Sequence, residues 1–284
     1  MPQVDVLGIL HTAAFLLGAM AILFAGKLAR DFLAKGRGHR VGDLITLQDN
    51  PATAIEQAGF LMGAVLGLLG SLALPEASIL VQAGELALTG LIVIATLLLN
   101  DQLMSRVVCR GFDNHAEVND NHNVAVAVPR AAGAIATGLV LRAALGHDSA
   151  LLDRLGWVLI GQTALVGISL LYQWRTPYDD LAEIKGKNLA AGLPMAGVLL
   201  AVAITVEAAL RGEGHGWVAD LQSVGLDLAL SIVLLQVLRV VADAFLLPGT
   251  TLAKEIAVDR NVGAGVMELA SLLVGAFMLA YFLN

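Results

Sequence analysis

Charge is scarce in this chain: Asp, Glu, Lys and Arg make up 14% of its 284 residues, where a soluble domain carries about a quarter. That poverty argues against a free-standing soluble globule and points to a bilayer as the main solvent. Cysteine is rarer still. The single Cys109 excludes an internal disulfide and cannot make a cysteine-based zinc site alone. No Gly-rich phosphate loop ending in Lys-Ser or Lys-Thr occurs, which argues against an ATPase motor, and no His-Glu-x-x-His helix of a zinc protease is present. Lys and Arg are also missing ahead of the first apolar stretch, so that stretch is expected to be a retained span and not a cleaved signal peptide.

What the chain has is apolar length. Apolar residues make up 57% of it and the mean hydropathy is +0.78. A helical span needs roughly 20 consecutive mostly apolar residues, because in lipid each backbone N–H and C=O must be satisfied within the segment. Eight stretches qualify, near 6–26, 51–74, 83–107, 123–146, 151–174, 189–210, 221–247 and 262–283. They are continuous and rich in Leu, Ala, Val and Gly, unlike the short alternating strands of a barrel. The fold class expected is therefore all-α, a polytopic membrane protein with about eight transmembrane helices.

The basic residues are placed unevenly. Of 17 Lys and Arg, all but Arg142, Arg154 and Arg211 follow the odd-numbered spans or open the next helix: Lys27, Arg30, Lys35, Arg37 and Arg40, then Arg106, Arg110 and Arg130, then Arg175, Lys185 and Lys187, then Arg239, Lys254 and Arg260. The positive-inside rule then places those loops in the cytoplasm and both termini outside. Trp157 and Trp217 are expected at the outer interface, Tyr172 and Trp174 at the inner one.

Self-similarity is visible along the same loops. Four segments read DNPATAIEQAG from Asp49, HNVAVAVPRAAG from His122, KNLAAGLPMAG from Lys187 and RNVGAGVMELA from Arg260. Asn50, Asn123, Asn188 and Asn261 are expected to cap the helices that follow, and Pro51 suits a first helical position. Small residues recur two residues after each Asn (Ala52, Ala125, Ala190, Gly263), four after (Ala54, Ala127, Gly192, Gly265) and nine after (Gly59, Ala132, Gly197, Ala270). Offsets of two and nine share a helix face and permit close backbone approach. Leu269 breaks the pattern of Ala58, Ala131 and Ala196. The alternative role for these asparagine-led N-termini is an anion or headgroup site at converging helix dipoles.

A second layer relates two halves, expected at 1–148 and 149–284, each of two two-helix repeats within one membrane domain. Glu85-Leu-Ala-Leu-Thr and Asp227-Leu-Ala-Leu-Ser open equivalent spans, and sixteen residues after each acid come Asp101 and Asp243. Because ionisable residues inside spans are costly, Glu85, Asp227, Asp101 and Asp243 are the candidate ion site. Arg239 can pair with Asp243 along one helix face. Glu56, Arg130 and Glu268 lie in the first two turns of their helices, where solvent or headgroup contact accounts for them and where the alternative is a place lining a cytoplasmic vestibule. His115, Glu117, Asp120 and His122 are the densest group of metal-type ligands, but two loop histidines without cysteine are a weak zinc pattern. No catalytic residue, metal or cofactor is expected, so the chain is read as no enzyme.

The four Asn-x-[Ala/Gly]-x-[Ala/Gly] helix starts and their spacing resemble the bacterial membrane family called domain of unknown function 350 (DUF 350), whose smaller members are YjfL-like four-helix proteins. The resemblance spans the whole chain as four tandem copies and implies a multi-pass protein of the bacterial inner membrane. It carries no biochemical activity. Two functions are expected from the residues: a channel or secondary transporter for a small ion or polyamine-like solute, or a non-transporting membrane scaffold or stress-response component that recruits a cytoplasmic partner through basic loops. The partners expected are membrane lipids, a cytoplasmic protein and further copies of the chain as a homo-oligomer. Nucleic acid is not among them.

Overall fold

The computed structural model describes residues 6–70, 78–146, 149–210, 216–246 and 249–283. Their helices are α1 (Val6–Gly36), α2 (Val41–Thr46), α3 (Pro51–Leu68), α4 (Ile79–Leu103), α5 (Asn114–Asn119), α6 (Val124–Leu145), α7 (Leu151–Arg175), α8 (Asp180–Lys185), α9 (Leu189–Leu210), α10 (Trp217–Leu246), α11 (Leu252–Ala257) and α12 (Val262–Leu283). No strand occurs among the described residues. Eight long helices stand where the eight apolar runs lie, and seven of them are long and apolar enough to cross a membrane. The eighth, α3, has Thr53, Glu56 and Gln57 in its first two turns, which dilutes its hydropathy. The chain is an all-α membrane protein.

The order of elements repeats: a long outer helix, a one-turn helix, then a long inner helix. The inner helices α3, α6, α9 and α12 pack in sequence, each against the next. They run parallel and nearly in register, because Gly192 sits on Ala125, and Gly265 on Ala190, at matching heights. Small residues make this possible. A Cβ on Gly192 would fall 2.5 Å from the carbonyl oxygen of Ala125, and one on Gly265 2.5 Å from that of Ala190. Pro129 and Pro194 lie four residues after those two alanines, and a proline has no N–H to offer the carbonyl four residues back. The freed carbonyls face the glycine of the neighbouring helix, where a Cα–H contact can partly replace the lost bond. Leu269, the departure from the small-residue pattern, packs on Gly197, the smallest partner available.

Outer helices fill the flanks. α4 packs on α3 and α6, α7 on α6 and α9, and α10 on α9 and α12, whereas α1 packs on α3 and α4. Ala125, Ala132, Ala136, Ala190, Ala196 and Ala201 are all buried along the central stack. At the end of the stack remote from the inner-helix N-termini, Trp157 and Trp217 stack with ring centres 4.9 Å apart, and the Trp217 indole N–H donates to Asp153 at 2.8 Å.

Candidate functional site

Each inner helix begins with the same two-residue device. Asp49, His122, Lys187 and Arg260 take positive φ of 49°, 54°, 62° and 50°, the left-handed region that turns the chain sharply out of the short helix. The Asn that follows enters the inner helix. The Asn50 side chain accepts from the N–H groups of Ala52 and Thr53, that of Asn123 from Ala125, and that of Asn261 from Gly263 and Ala264. Asn188 differs, since its side-chain oxygen has no hydrogen-bond partner among the described residues.

The side-chain amides of these asparagines do a second job that capping does not foresee. Asn50 donates to the carbonyls of Val118 and Asn119, Asn123 to those of Ile184 and Lys185, and Asn188 to that of Ile256. Each therefore ties its own inner helix to the end of the next short helix along the chain, satisfying carbonyls that a helix terminus leaves open. Glu117, Glu183 and Glu255 accept a further bond from Asn123, Asn188 and Asn261. The sequence carries a signal for this: Asp113, Asp179 and Thr251 cap the short helices, and each is followed four residues later by that glutamate. Hydrogen bonds from the N–H groups of Ala116 and His115 hold the Asp113 carboxyl below its ordinary range.

Charge gathers at one place near these N-termini. Arg130 is 3% exposed and Glu56 6%, so both are buried and not solvated as their position in the first helical turns suggested. The reason is the register of the stack, which turns both residues into the α3–α6 contact. Arg130 Nε donates to Glu56 Oε1 at 2.5 Å, its Nη2 lies 2.5 Å from Asp101 Oδ1, and its Nη1 donates to Ser105 Oγ at 2.6 Å and Asn114 Oδ1 at 3.5 Å. Arg30 pairs with Glu56 at 2.7 Å and lies over the Phe60 ring, 5.1 Å from its centre. Beyond Asp101 comes His115, whose Nε2 is 3.4 Å from Asp101 Oδ2 while its Nδ1 lies 3.3 Å from Arg37 Nη1. Ser105 reaches the network from Met104–Val108, a π-helical turn that extends α4; such widened turns recur at functional sites.

Two cavities of about 30 and 20 Å³ open beside these groups, each large enough for about one water. Glu56, Asp101 and His115 bring one ligand atom each to within 4.8 Å of one another, a set that could hold a cation. The dense loop group of the sequence does not converge: His115 goes to Asp101, Asp120 to His39 at 2.8 Å, and Glu117 to Asn121 and Asn123. Cys109 is fully buried, and burial pushes its thiol up to about 11, so it stays a neutral packing group.

The four acids of the candidate ion site are scattered. Asp101 belongs to the network above. Glu85 pairs with Arg154 at 3.2 Å on the flank formed by α4 and α7. Asp227 lies on α10, beside α9 and α12, with no cation paired to it among the described residues. The side chains of Asp243 and Arg239 lie outside the described residues. Glu207 pairs with Arg142 across α9 and α6, a contact absent from the sequence reading because the two residues are 65 apart.

The structure thus defines an all-α membrane protein with a stack of small-residue helices and a buried ionic cluster around Arg130. The family model described as Domain of Unknown Function (DUF350) matches residues 4–145, 86–171 and 147–283, so the chain belongs to that family, and the overlapping matches suggest internal repeats. No curated protein and no solved structure matches the chain.

Proposed function

We propose that the protein is a secondary transporter for small cations, inorganic or amine, with Glu56 and Asp101 as the binding carboxylates and the Arg130 guanidinium as a resident cation that the substrate replaces. One observation carries this reading. On the reading of the chain as two equivalent halves, Pro194 and Glu268 stand at the places of Glu56 and Arg130, which supports a packing that does not require the arginine network. Breaking even in stability at best, a buried ion pair that the fold can do without is a functional candidate. A cation entering from the small cavities takes the Arg130 position at the two carboxylates, and Arg130 is retained by Ser105 and Asn114, whose oxygens already face it. In the cell the chain is placed in the bacterial inner membrane as four copies of the two-helix repeat, halves 1–148 and 149–284, with the Asn-led N-termini on the cytoplasmic side and both chain termini outside. It acts on no covalent bond.

The test is uptake by purified protein in liposomes of a panel of monovalent ions and linear diamines. Wild type moves at least one of them, and Glu56→Gln lowers that flux at least tenfold; unchanged flux in the variant sinks the assignment. The scaffold reading has its own support in the groove of about 520 Å³ lined by Arg106, Arg110, Gln173, Trp174, Tyr178 and Asp179, in which Trp174 is 76% exposed. Absence of flux across the whole panel, with a cytoplasmic protein retained by wild type and lost on Arg106→Glu/Arg110→Glu, establishes that reading instead.

A further inference from the structure

We propose that copies of this chain join head to tail through the two ends of the inner-helix stack, α12 of one copy packing on α3 of the next. The proposal is independent of transport and rests on the contact that the chain already makes three times within itself.

Every inner helix has a forward and a backward face. On the forward face the residues two and nine after the Asn meet the next helix; on the backward face those four and eight after it meet the preceding one. Gly192 on Ala125 and Gly265 on Ala190 are contacts of the first kind of pairing, Gly59 on Ala131 and Gly197 on Leu269 of the second. Where a neighbour exists these positions are closed: Ala52, Ala125 and Ala190 are at most 1% exposed, and Ala131 and Ala196 are buried. At the two ends the same positions are less covered, Ala54 and Ala270 being half-buried. Gly263 is exposed on the forward face of α12, and Ala58 is exposed on the backward face of α3. Both ends have kept the small residues that close packing needs, although no inner helix among the described residues packs on them.

Two further features stop at the same places. Asn50, Asn123 and Asn188 are buried and donate to carbonyls at the end of the following short helix, while Asn261 is exposed and, among the described residues, its amide reaches Glu255 alone. The positions of α2 that match Val118 and Asn119 are Ile45 and Thr46, and no asparagine of the chain donates to their carbonyls among the described residues. In addition α4, α7 and α10 each lie against two inner helices, whereas α1 lies against one. A second copy set on α3 by the same step supplies all three missing parts: a forward face for Ala54 and Ala58, an Asn261 amide for Ile45 and Thr46, and a second inner helix for α1. The surfaces that meet are different, so the contact is heterologous and closes into a ring or runs on as a filament, according to the rotation between copies.

Disulfide trapping in native membranes tests this. In a Cys109→Ala background, Ala270→Cys and Ala58→Cys are placed on separately tagged copies, co-expressed, and oxidised with copper-phenanthroline. A cross-linked pair carrying both tags is expected from the mixture, with neither variant cross-linking to itself when expressed alone. A ladder or a single closed species is expected when one chain carries both cysteines. Self-cross-linking of Ala270→Cys alone at equal yield would show a symmetric contact and overturn the proposal, as would no cross-link in the mixture. Native mass spectrometry of the unsubstituted protein released from lipid nanodiscs gives an answer that does not depend on the variants: multimers whose share falls at least severalfold on Asn261→Leu support it, and monomer alone refutes it.

Discussion

Removing Arg130 while leaving its partners gives the sharpest stability test of the buried network. Arg130→Met fills similar volume but leaves Glu56, 6% exposed, with Arg30 alone, and leaves Asp101 with His115 alone. Breaking a buried pair by deleting one partner costs about 3–5 kcal/mol, most of it the penalty on the stranded charge. At about 2.1 cal/mol/K of unfolding entropy per residue, a chain of 284 residues loses about 5–8 °C of Tm for that cost. The assay is thermal unfolding in detergent followed by tryptophan fluorescence, since the stacked Trp157 and Trp217 report the far end of the bundle and so global unfolding. A cycle with Glu56→Gln adds the decisive comparison. The double variant is expected to be less destabilised than the sum of the singles, with a coupling on the order of 2 kcal/mol. Strictly additive losses, or a drop of under about 2 °C for Arg130→Met, would refute the reasoning, because the charges would then be screened from one another.

Three other outcomes follow from the packing, the caps and the outer acids. Gly138→Ala drives a Cβ into the backbone of Gly63, which cannot swing aside, and is expected to cost about 1–3 kcal/mol, whereas Gly84→Ala meets nothing within 4 Å and gains up to about 1 kcal/mol of helix propensity; equal Tm values for the two would contradict the stack. Asp113→Ala, which removes the cap of α5, is expected to cost about 1 kcal/mol at neutral pH. Because the folded-state carboxyl of Asp113 lies below its unfolded value, its charged contribution is complete above that unfolded value and fades as pH falls below about 4, so wild type and variant should converge in acid. The double substitution Glu85→Gln/Asp227→Asn, made at acids on the outer helices α4 and α10, is expected to lower liposome flux less than Glu56→Gln does, and a larger loss would return the ion site to the outer acids.

Helix positions were legible in the sequence because lipid imposes length: the runs at 123–146, 151–174, 189–210 and 262–283 end within a residue or so of α6, α7, α9 and α12. The asparagines and their small neighbours were legible as a period. What the period could not convey is which units touch. Glu56 and Arg130 are 74 residues apart and belong to different repeats, so each alone looks like a polar residue near a helix start; only the register of α3 on α6 makes them a pair. Arg142 and Glu207 were hidden for the same reason. The one-turn helices escaped notice because six residues are too short for an amphipathic pattern, although Asp113, Asp179 and Thr251 mark their starts. Conversely Glu85 and Asp227 drew attention through repeat symmetry, which relates positions that need not lie near each other.

The most direct test of the central claim, that the buried network serves transport and not packing, is to measure Tm and cation flux together on Glu56→Gln/Asp101→Asn/Arg130→Met. With the charges of α3, α4 and α6 removed together, and Arg30 on α1 losing its carboxylate but keeping its bond to the backbone carbonyl of residue 56, the account predicts a Tm within a few degrees of wild type and flux reduced to that of empty liposomes. Undiminished flux at an unchanged Tm would contradict it.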